Sequence, residues 1–182
     1  LPTTVQDVGS VGSESAAYVA GGSSPSMKSN IQKVTYASDT SAALPSGADL
    51  SAARYRMGSV GNSSAGYFGG GRNPGSIPYY SNMDKLTFSD DTTARIPGAN
   101  FAVARRESAG AGNSTHGYFA GGSGGPGTQS TFEKLTYTSD TTAALPGSNL
   151  SAKTYRLSAT SSGTHGYFGG GYSPNSSTIT SK

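Results

Sequence analysis

The chain of 182 residues has no cysteine and no tryptophan, and only 13% of its residues are charged. Without cysteine there can be no disulfide framework and no thiolate metal site, although any redox compartment remains possible. The net charge of +3 comes without a dense basic stripe, so we expect no nucleic-acid partner. No segment is apolar over the length that a membrane helix needs, so we also expect no membrane insertion.

Glycine, by contrast, is abundant, with 27 residues, and much of it lies in one recurring phrase. The four copies are Ala-Tyr-Val-Ala-Gly-Gly at 17–22, Gly-Tyr-Phe-Gly-Gly-Gly at 66–71, Gly-Tyr-Phe-Ala-Gly-Gly at 117–122 and Gly-Tyr-Phe-Gly-Gly-Gly at 166–171. A fixed period near 50 residues is typical of repeat architectures, so the chain is predicted to be an array of similar units.

Each unit carries further repeated segments between the Gly-rich phrases. They are a Lys-apolar-Thr-aromatic run, an Asp-Thr pair and a Leu-Pro or Ile-Pro pair, for example Lys85-Leu86-Thr87-Phe88, Asp91-Thr92 and Ile96-Pro97. The run alternates as a strand does, and the aspartate is typical of a turn. Segments 62–64, 113–115 and 162–164 are predicted to be hairpin tips before the Gly-rich strands. We therefore expect an all-β fold with almost no helix.

The recurring glycine pairs need an explanation, because glycine weakens a strand. They are Gly21-Gly22, Gly70-Gly71, Gly121-Gly122 and Gly170-Gly171. We expect them to lie where neighbouring backbones approach closely; the alternative is that they merely end the strand and open a loop.

The order of these segments resembles the kelch motif: Tyr67-Phe68-Gly69-Gly70, Lys85-Leu86-Thr87-Phe88, Ile96-Pro97 and then Arg105-Arg106. Within that family, the combination is similar to kelch-like repeats seen among marine phages and related environmental sequences. The resemblance implies a β-propeller of four-stranded blades. The tryptophan that kelch units carry before Leu-Pro is missing here, so smaller groups are expected to fill the interior.

The expected units cover about 1–22 (partial), 23–71, 72–122, 123–171 and 172–182 (partial), about three and a half in all. Propellers close with roughly 4–8 blades. We therefore expect this array to be incomplete and the chain to be a piece of a longer one. A partner chain that supplies the missing strands and an open array are the alternatives.

No catalytic, cofactor-binding or metal-binding residue is predicted. His116 and His165 occupy equivalent repeat positions and are interpreted as residues near hairpin tips. Asp39 and the pair Asp90-Asp91 are interpreted as turn residues, because a calcium loop needs several oxygen ligands at close alternate spacing.

Arginine and tyrosine recur before the last three Gly-rich hairpins, and these residue types are favoured at interaction hot spots. A structural role, in which arginine locks neighbouring units together, is the alternative for the arginines, and it is one that the kelch resemblance implies. The loops after the glycines add a second candidate patch. The candidate contact residues are Arg54, Tyr55, Arg56, Arg72, Tyr79, Tyr80, Arg105, Arg106, Tyr155 and Arg156.

The sequence thus predicts a non-catalytic scaffold that contacts protein partners or further copies of the repeat, in a virion, such as a tail fibre, or an extracellular appendage. The alternative is a glycan-binding or enzyme-associated propeller whose active groups lie outside this segment. Surface glycans are a further candidate partner.

Overall fold

The structure is a computed structural model that describes residues 4–75 and 78–174, together with the backbone of 180–181. Over these residues the secondary structure consists of antiparallel strands and one 3-10 turn, Ser46–Ala48. The all-β prediction is confirmed. The described residues contain no helix of the length and hydropathy needed to cross a membrane.

Four sheets follow one another along the chain, and each is an open antiparallel meander. Sheet 1 contains β1 (Gly9–Gly12), β2 (Ala16–Ala20), β3 (Ile31–Thr35) and β4 (Thr40–Ala43). Sheet 2 contains β5 (Gly58–Gly61), β6 (Ala65–Gly69), β7 (Asn82–Thr87) and β8 (Thr92–Asn100). Sheet 3 contains β10 (Ala109–Gly112), β11 (His116–Ala120), β14 (Thr131–Thr136) and β15 (Thr141–Asn149). Sheet 4 contains β16 (Ser158–Ser161), β17 (Gly166–Gly169) and β18 (Thr180–Ser181).

The segments that connect one sheet to the next also form short β-pairings, and these pairings lie at equivalent positions in the repeats. In the connection that enters sheet 3, β9 (Arg105–Arg106) pairs with β12 (Ser123–Gly124), and β12 pairs with β13 (Gly127–Thr128), so that the three make a small sheet. Elsewhere the pairing is a single bridge, as between Tyr55 and Arg72 or between Tyr155 and Tyr172. The segment that enters each sheet is thereby tied to the segment that follows its glycine pair.

The first hairpins of sheets 2, 3 and 4 turn at the predicted tips, 62–64, 113–115 and 162–164. In sheet 2 the side-chain Oδ1 of Asn62 accepts hydrogen bonds from the backbone N–H groups of Ser64 and Ala65. Asn113 does the same for Thr115 and His116 in sheet 3. Asparagine favours such tips because its side chain caps the turning backbone.

The apolar core is divided into three layers, one between each pair of consecutive sheets. One cluster joins sheets 1 and 2 around Tyr18 and Phe68, and another joins sheets 2 and 3 around Tyr67 and Phe119. The third joins sheets 3 and 4 around Leu150 and Phe168 and is built largely from alanines. The array is therefore held together by contacts between neighbours, as in other repeat proteins.

The glycine pairs combine both explanations given above. They directly follow β2, β6, β11 and β17, and all eight glycines have positive φ. A Cβ added at Gly21, Gly70 or Gly121 would also fall on the carbonyl oxygen of Arg54, Arg105 or Thr154. The pairs thus end the strand in a left-handed conformation and admit the backbone that enters the next sheet.

Candidate functional site

Two arginines are buried where the chain enters sheets 2 and 3, and each is paired with an acid inside that sheet. Arg54 lies 2.8 Å from Asp84, and both side chains have 0% exposure. Arg54 also donates to the carbonyl oxygens of Asn82 and Phe68, both at 3.3 Å. Asp84 accepts in addition from the N–H and hydroxyl of Ser51, at 2.9 and 2.7 Å. These contacts tie the entering segment to the middle strands of sheet 2.

Arg105 repeats this arrangement in sheet 3. Its guanidinium lies 3.0 Å from Glu133 and donates to the hydroxyl of Thr131 at 2.8 Å, while Glu133 accepts from the N–H of Ala102. Burial raises the pKa of Glu133, and the positive charge of Arg105 opposes this rise. The geometry of Arg54 and Arg105 supports the structural alternative, because neither guanidinium has surface to offer a partner.

The pair is kept or lost as a unit along the chain. In sheet 1 the two positions hold Val5 and Gln32, and in sheet 4 they hold Thr154 and Ser181. No sheet keeps one charge without the other, as expected if an unpaired buried charge is too costly.

A second set of charged residues forms what we call the charge ladder: Asp7, Arg56, Glu107 and Arg156. They occupy one repeat position in the four units, and their signs alternate. Arg56 lies 2.9 Å from Asp7 and 3.0 Å from Glu107, and Glu107 lies 2.8 Å from Arg156. The backbone N–H of each later member also donates to the carbonyl of the one before it.

All four ladder residues have φ between 57° and 59°, a left-handed conformation that is uncommon outside glycine. They line one cavity of about 610 Å³ with Val8, Met57, Ser108 and Leu157, so all four units meet around it. The hydrogen bond and charge of Glu107 raise the pKa of Arg156, and Asp7 adds to the rise. The curvature of the array brings its first and last units to the same cavity.

A third contact, which we call the aromatic clamp, joins the outer parts of neighbouring sheets. Between sheets 1 and 2, the Tyr18 ring stacks on Phe88 with ring centres 5.0 Å apart, and its hydroxyl donates to Asp91 at 2.8 Å. The ammonium of Lys33 lies 2.7 Å from the other oxygen of Asp91 and 5.5 Å from the Tyr18 ring centre. The Asp91 carboxylate of sheet 2 therefore accepts from both Tyr18 and Lys33 of sheet 1.

The clamp recurs between sheets 2 and 3 with the same geometry. Tyr67 stacks on Tyr137 at 5.0 Å and donates to Asp140 at 2.8 Å, and Lys85 lies 2.8 Å from the same carboxylate. Burial, followed by the hydrogen bond to Asp140, raises the pKa of Tyr67. Asp140, like Asp91, has a positive φ at its turn.

A cavity of about 430 Å³ lies between sheets 3 and 4. Tyr118, Phe132, His165 and Phe168 contribute to its walls, together with residues 147–149 at the end of β15. Each histidine stands near the tyrosine two residues on, with His165 and Tyr167 ring centres 6.4 Å apart.

The remaining contact candidates fall into separate places. Tyr55 stands between two cations, with Arg56 at 5.1 Å and Arg72 at 6.0 Å from its ring centre. Tyr80 is buried under the Arg54 guanidinium, whereas Tyr79 is half-buried beside it in the loop. The structure therefore does not gather these residues into one patch.

Near sheet 4, Tyr155 packs against Tyr172 with ring centres 5.4 Å apart, and Arg156 lies over the Tyr155 ring at 5.5 Å. Arg106, in β9, pairs with Glu107 at 3.2 Å beside the charge ladder. Of these residues, Arg156 lines the cavity of the charge ladder, and Arg106 reaches it through Glu107.

The clamp residues were missed by sequence reasoning, which assigned the aspartates to local turns. The aspartates do lie in turns, with positive φ at Asp39, Asp91 and Asp140, and Asp90 accepts from the N–H of Thr92 at 3.1 Å. What the sequence did not predict is the contact of Asp91 and Asp140 with the preceding sheet. The available signal was the joint recurrence of the tyrosine, the lysine and the aspartate, since Tyr18 precedes Asp91 by 73 residues and Tyr67 precedes Asp140 by the same 73.

These contacts join neighbouring units of the repeat. Within the described residues, no three His, Cys, Asp or Glu side chains are grouped as metal ligands. Comparison of the chain with models of protein families gives no match, and comparison with curated proteins gives none either.

Proposed function

We propose that this chain is a non-catalytic scaffold of kelch-like repeats, with its sheets as blades of a propeller array, that assembles with further copies of the same repeat. Support comes from the three contacts that recur at successive junctions: the buried arginine pair, the charge ladder and the aromatic clamp. The convergence of all four units on one cavity fits a radial arrangement of blades.

The observation that carries this proposal is the complementarity of the two ends of the array. The first end exposes Tyr36 (49% exposed) and Asp39, which occupy the repeat positions of Tyr137 and Asp140. The last end exposes Tyr167 (45% exposed), which occupies the position of Tyr67. Each end thus holds the half of an aromatic clamp that the other end lacks.

The charge ladder ends in the same complementary way. Asp7 begins it with a negative charge and Arg156 ends it with a positive one, and the Arg156 side chain is 57% exposed. A second copy whose first sheet packs on sheet 4 would bring its Asp7 towards Arg156 and its Tyr36 towards Tyr167. Such a head-to-tail contact continues the interior junctions and does not require a new kind of interface.

Sedimentation velocity of the full chain over a wide concentration range tests this proposal. Association is expected to weaken at least tenfold in Tyr36→Ala and in Asp39→Asn, because each removes one half of the new clamp. Asparagine tolerates the left-handed φ of 51° at position 39, so Asp39→Asn changes charge without breaking the turn. Glu14→Gln, an exposed acid at the neighbouring hairpin tip, serves as the control.

A parent chain that stays monomeric at every concentration would refute assembly through these ends. Association that persists unchanged in Tyr36→Ala would refute the clamp as its cause. A virion or extracellular location, and binding of surface glycans, stay predictions of the sequence.

A further inference from the structure

The strands of the sheets end on two opposite surfaces of the array, and one of these surfaces carries the hairpin tips and turns. We call it the turn face; it comprises the tips at 13–15, 62–64, 113–115 and 162–164 and the turns at 36–39, 88–91 and 137–140. Tip and turn are joined within a sheet, as where the N–H of Phe88 donates to the carbonyl of Ser64. Tips of neighbouring sheets also meet, since the Asn62 side chain donates to the carbonyl of Ser114 at 3.5 Å. The turn face is therefore continuous across sheets 2 and 3.

The other surface, which we call the entry face, is built from the connections. It comprises the segments that enter the sheets, 4–8, 49–57, 100–108 and 150–157, and those that follow the glycine pairs, 23–30, 72–75, 78–81 and 123–130. The charge ladder lies within this face, and its backbone hydrogen bonds join the four entering segments. Because β5 runs from the entering segment at Gly58 to the tip that follows Gly61, the two faces lie at opposite ends of the strands.

Charged residues are distributed unequally between the two faces. Arg54 and Arg105 are neutralised inside the sheets and are left out of the comparison. The turn face, with the three lysines of the adjoining strands, has a net charge of −2; its residues are Glu14, Asp39, Asp90, Asp91 and Asp140 with Lys33, Lys85 and Lys134. The entry face has a net charge of +3; its residues are Lys28, Arg56, Arg72, Arg106, Lys153 and Arg156 with Asp7, Asp49 and Glu107. Each copy of the chain thus carries one negative and one positive face.

The same division holds for the charges that have no ion pair within the described part of the chain. Of four such acids, three lie on the turn face: Glu14, Asp39 and Asp90. Of five such bases, three lie on the entry face: Lys28, Arg72 and Lys153. Asp49, Lys134 and Arg95 are the exceptions. A charge that no neighbour neutralises is the one that an oppositely charged partner attracts most strongly.

The charges nearest the middle of each face belong to sheets 2 and 3, and each of these sheets has a described sheet on both sides. Arg72 lies 6.0 Å from the ring centre of Tyr55, and arginine and tyrosine are the residue types favoured at interaction hot spots. On the turn face, the hydrogen bond from the Thr92 hydroxyl, followed by that from its N–H, lowers the pKa of Asp90. This exposed carboxylate is therefore charged at neutral pH.

We propose that the entry face of one copy of the chain docks on the turn face of another, so that copies stack face to face. The occupant of each face is a second copy because the chain itself carries the surface of opposite charge, and such complementarity selects and steers a partner. Since two different surfaces meet, the contact is heterologous, and it continues from copy to copy rather than closing as a pair.

This inference goes beyond the proposed function, because it uses the ends of the strands rather than the two ends of the array. Either contact can exist without the other. Tyr36→Ala removes half of an aromatic clamp without changing a charge, so it separates the end-to-end contact from the stacking contact.

Two double variants, both made in the Tyr36→Ala chain, test the stacking contact. The entry variant, Arg72→Glu with Lys153→Glu, reverses two bases that have no ion pair among the described residues. The turn variant, Ser89→Lys with Thr138→Lys, adds two cations beside the turn aspartates. Both positions are exposed and correspond to Ala37 in sheet 1, so the turn tolerates different side chains there.

Sedimentation velocity at low salt measures the association. The Tyr36→Ala chain is expected to form stacks whose mean mass rises with concentration, and each double variant alone should associate at least tenfold more weakly. A one-to-one mixture of the two variants should form a discrete dimer, because the intact turn face of one meets the intact entry face of the other. Such a dimer requires both variants to be folded, so the mixture guards against loss of structure.

A matched control places the two charges of the turn variant between the faces. Ala43→Lys with Ala144→Lys, at exposed positions of the outer strands β4 and β15, should leave association unchanged. Raising the salt from about 50 mM to about 500 mM should weaken the stacks at least tenfold, because surface charges are then screened.

A Tyr36→Ala chain that stays monomeric at low salt would overturn the inference, as would a mixture of the two variants that forms no dimer. Association that is equal in the entry variant or insensitive to salt would do the same. If the chain does not stack but binds poly-L-glutamate in a way that Arg72→Glu abolishes, the entry face serves a foreign acidic partner, and the inference is also wrong.

Discussion

Replacing Arg54 by methionine removes the cation of the fully buried pair while keeping most of the side chain's bulk. Asp84 then remains buried with only Ser51 as a donor, and the carbonyls of Asn82 and Phe68 lose their contacts with the guanidinium. Breaking a buried pair from one side costs about 3–5 kcal/mol. At about 2–4 °C per kcal/mol for a chain of this size, the unfolding temperature should fall by about 6–20 °C.

The chain itself suggests the compensating variant. Sheet 1 has Val5 and Gln32 at these two positions, so Arg54→Val with Asp84→Gln transplants an uncharged pair that the fold already uses. Gln32 leaves its Oε1 without a hydrogen-bond partner among the described residues, so the double variant should retain a cost of about 1–3 kcal/mol. It should nevertheless be more stable than Arg54→Met or Asp84→Gln alone.

Thermal and urea unfolding followed by circular dichroism measures these differences, with Lys153→Met, an exposed lysine of the segment that enters sheet 4, as the surface control. The control should change stability by no more than about 0.5 kcal/mol. A loss of less than about 1 kcal/mol of unfolding free energy in Arg54→Met would contradict the stabilising role of the pair. So would a double variant whose loss equals the sum of the losses of the two single variants.

Two other changes test the clamp and the glycine pairs. The raised pKa of Tyr67 means that its stabilisation is complete below the unfolded value of 10.0 and declines as the pH rises above it. In Tyr67→Phe, the free energy of unfolding should therefore fall less steeply at alkaline pH than in the parent chain. At neutral pH the variant should lose about 1.5–3 kcal/mol, because the hydrogen bond to Asp140 is missing. Urea unfolding measures both effects, and an unchanged dependence of stability on alkaline pH would contradict this prediction. Gly70→Ala and Gly170→Ala meet the same left-handed φ, 68° and 69°, but only the first faces the carbonyl of Arg105. Gly70→Ala should cost at least about 1 kcal/mol more in thermal unfolding, and equal losses would exclude close approach as the reason for the glycines.

The period, the strands and the hairpin tips could be predicted from the sequence because their causes are local. Alternating residues such as Leu86 and Phe88 mark the buried face of a strand, and Asn62 caps the turn in which it lies. The all-β class follows from such segments alone, without knowledge of how the sheets pack.

The contacts between sheets could not be predicted in the same way. Asp91 and Asp140 have the sequence context of turn residues, and their partners lie one sheet back along the chain. The sequence singled out Arg54 but not its partner Asp84. Asp84 looks like an ordinary strand residue, and only the strand register shows that it faces the segment that carries Arg54. A side chain's role at a junction depends on register and packing, which are not encoded at any single position.

The alternating charge ladder bears on how many units a closed array can contain. Each junction pairs an acid with an arginine, as Asp7 does with Arg56 and Glu107 with Arg156. In the proposed ring, an even number of units closes with every charge beside an opposite one, whereas an odd number with strict alternation sets two like charges side by side. Because like charges placed side by side repel each other, complete alternation favours a ring with an even number of units. A head-to-tail assembly with an odd number of units would have to interrupt the ladder with an uncharged residue at this position.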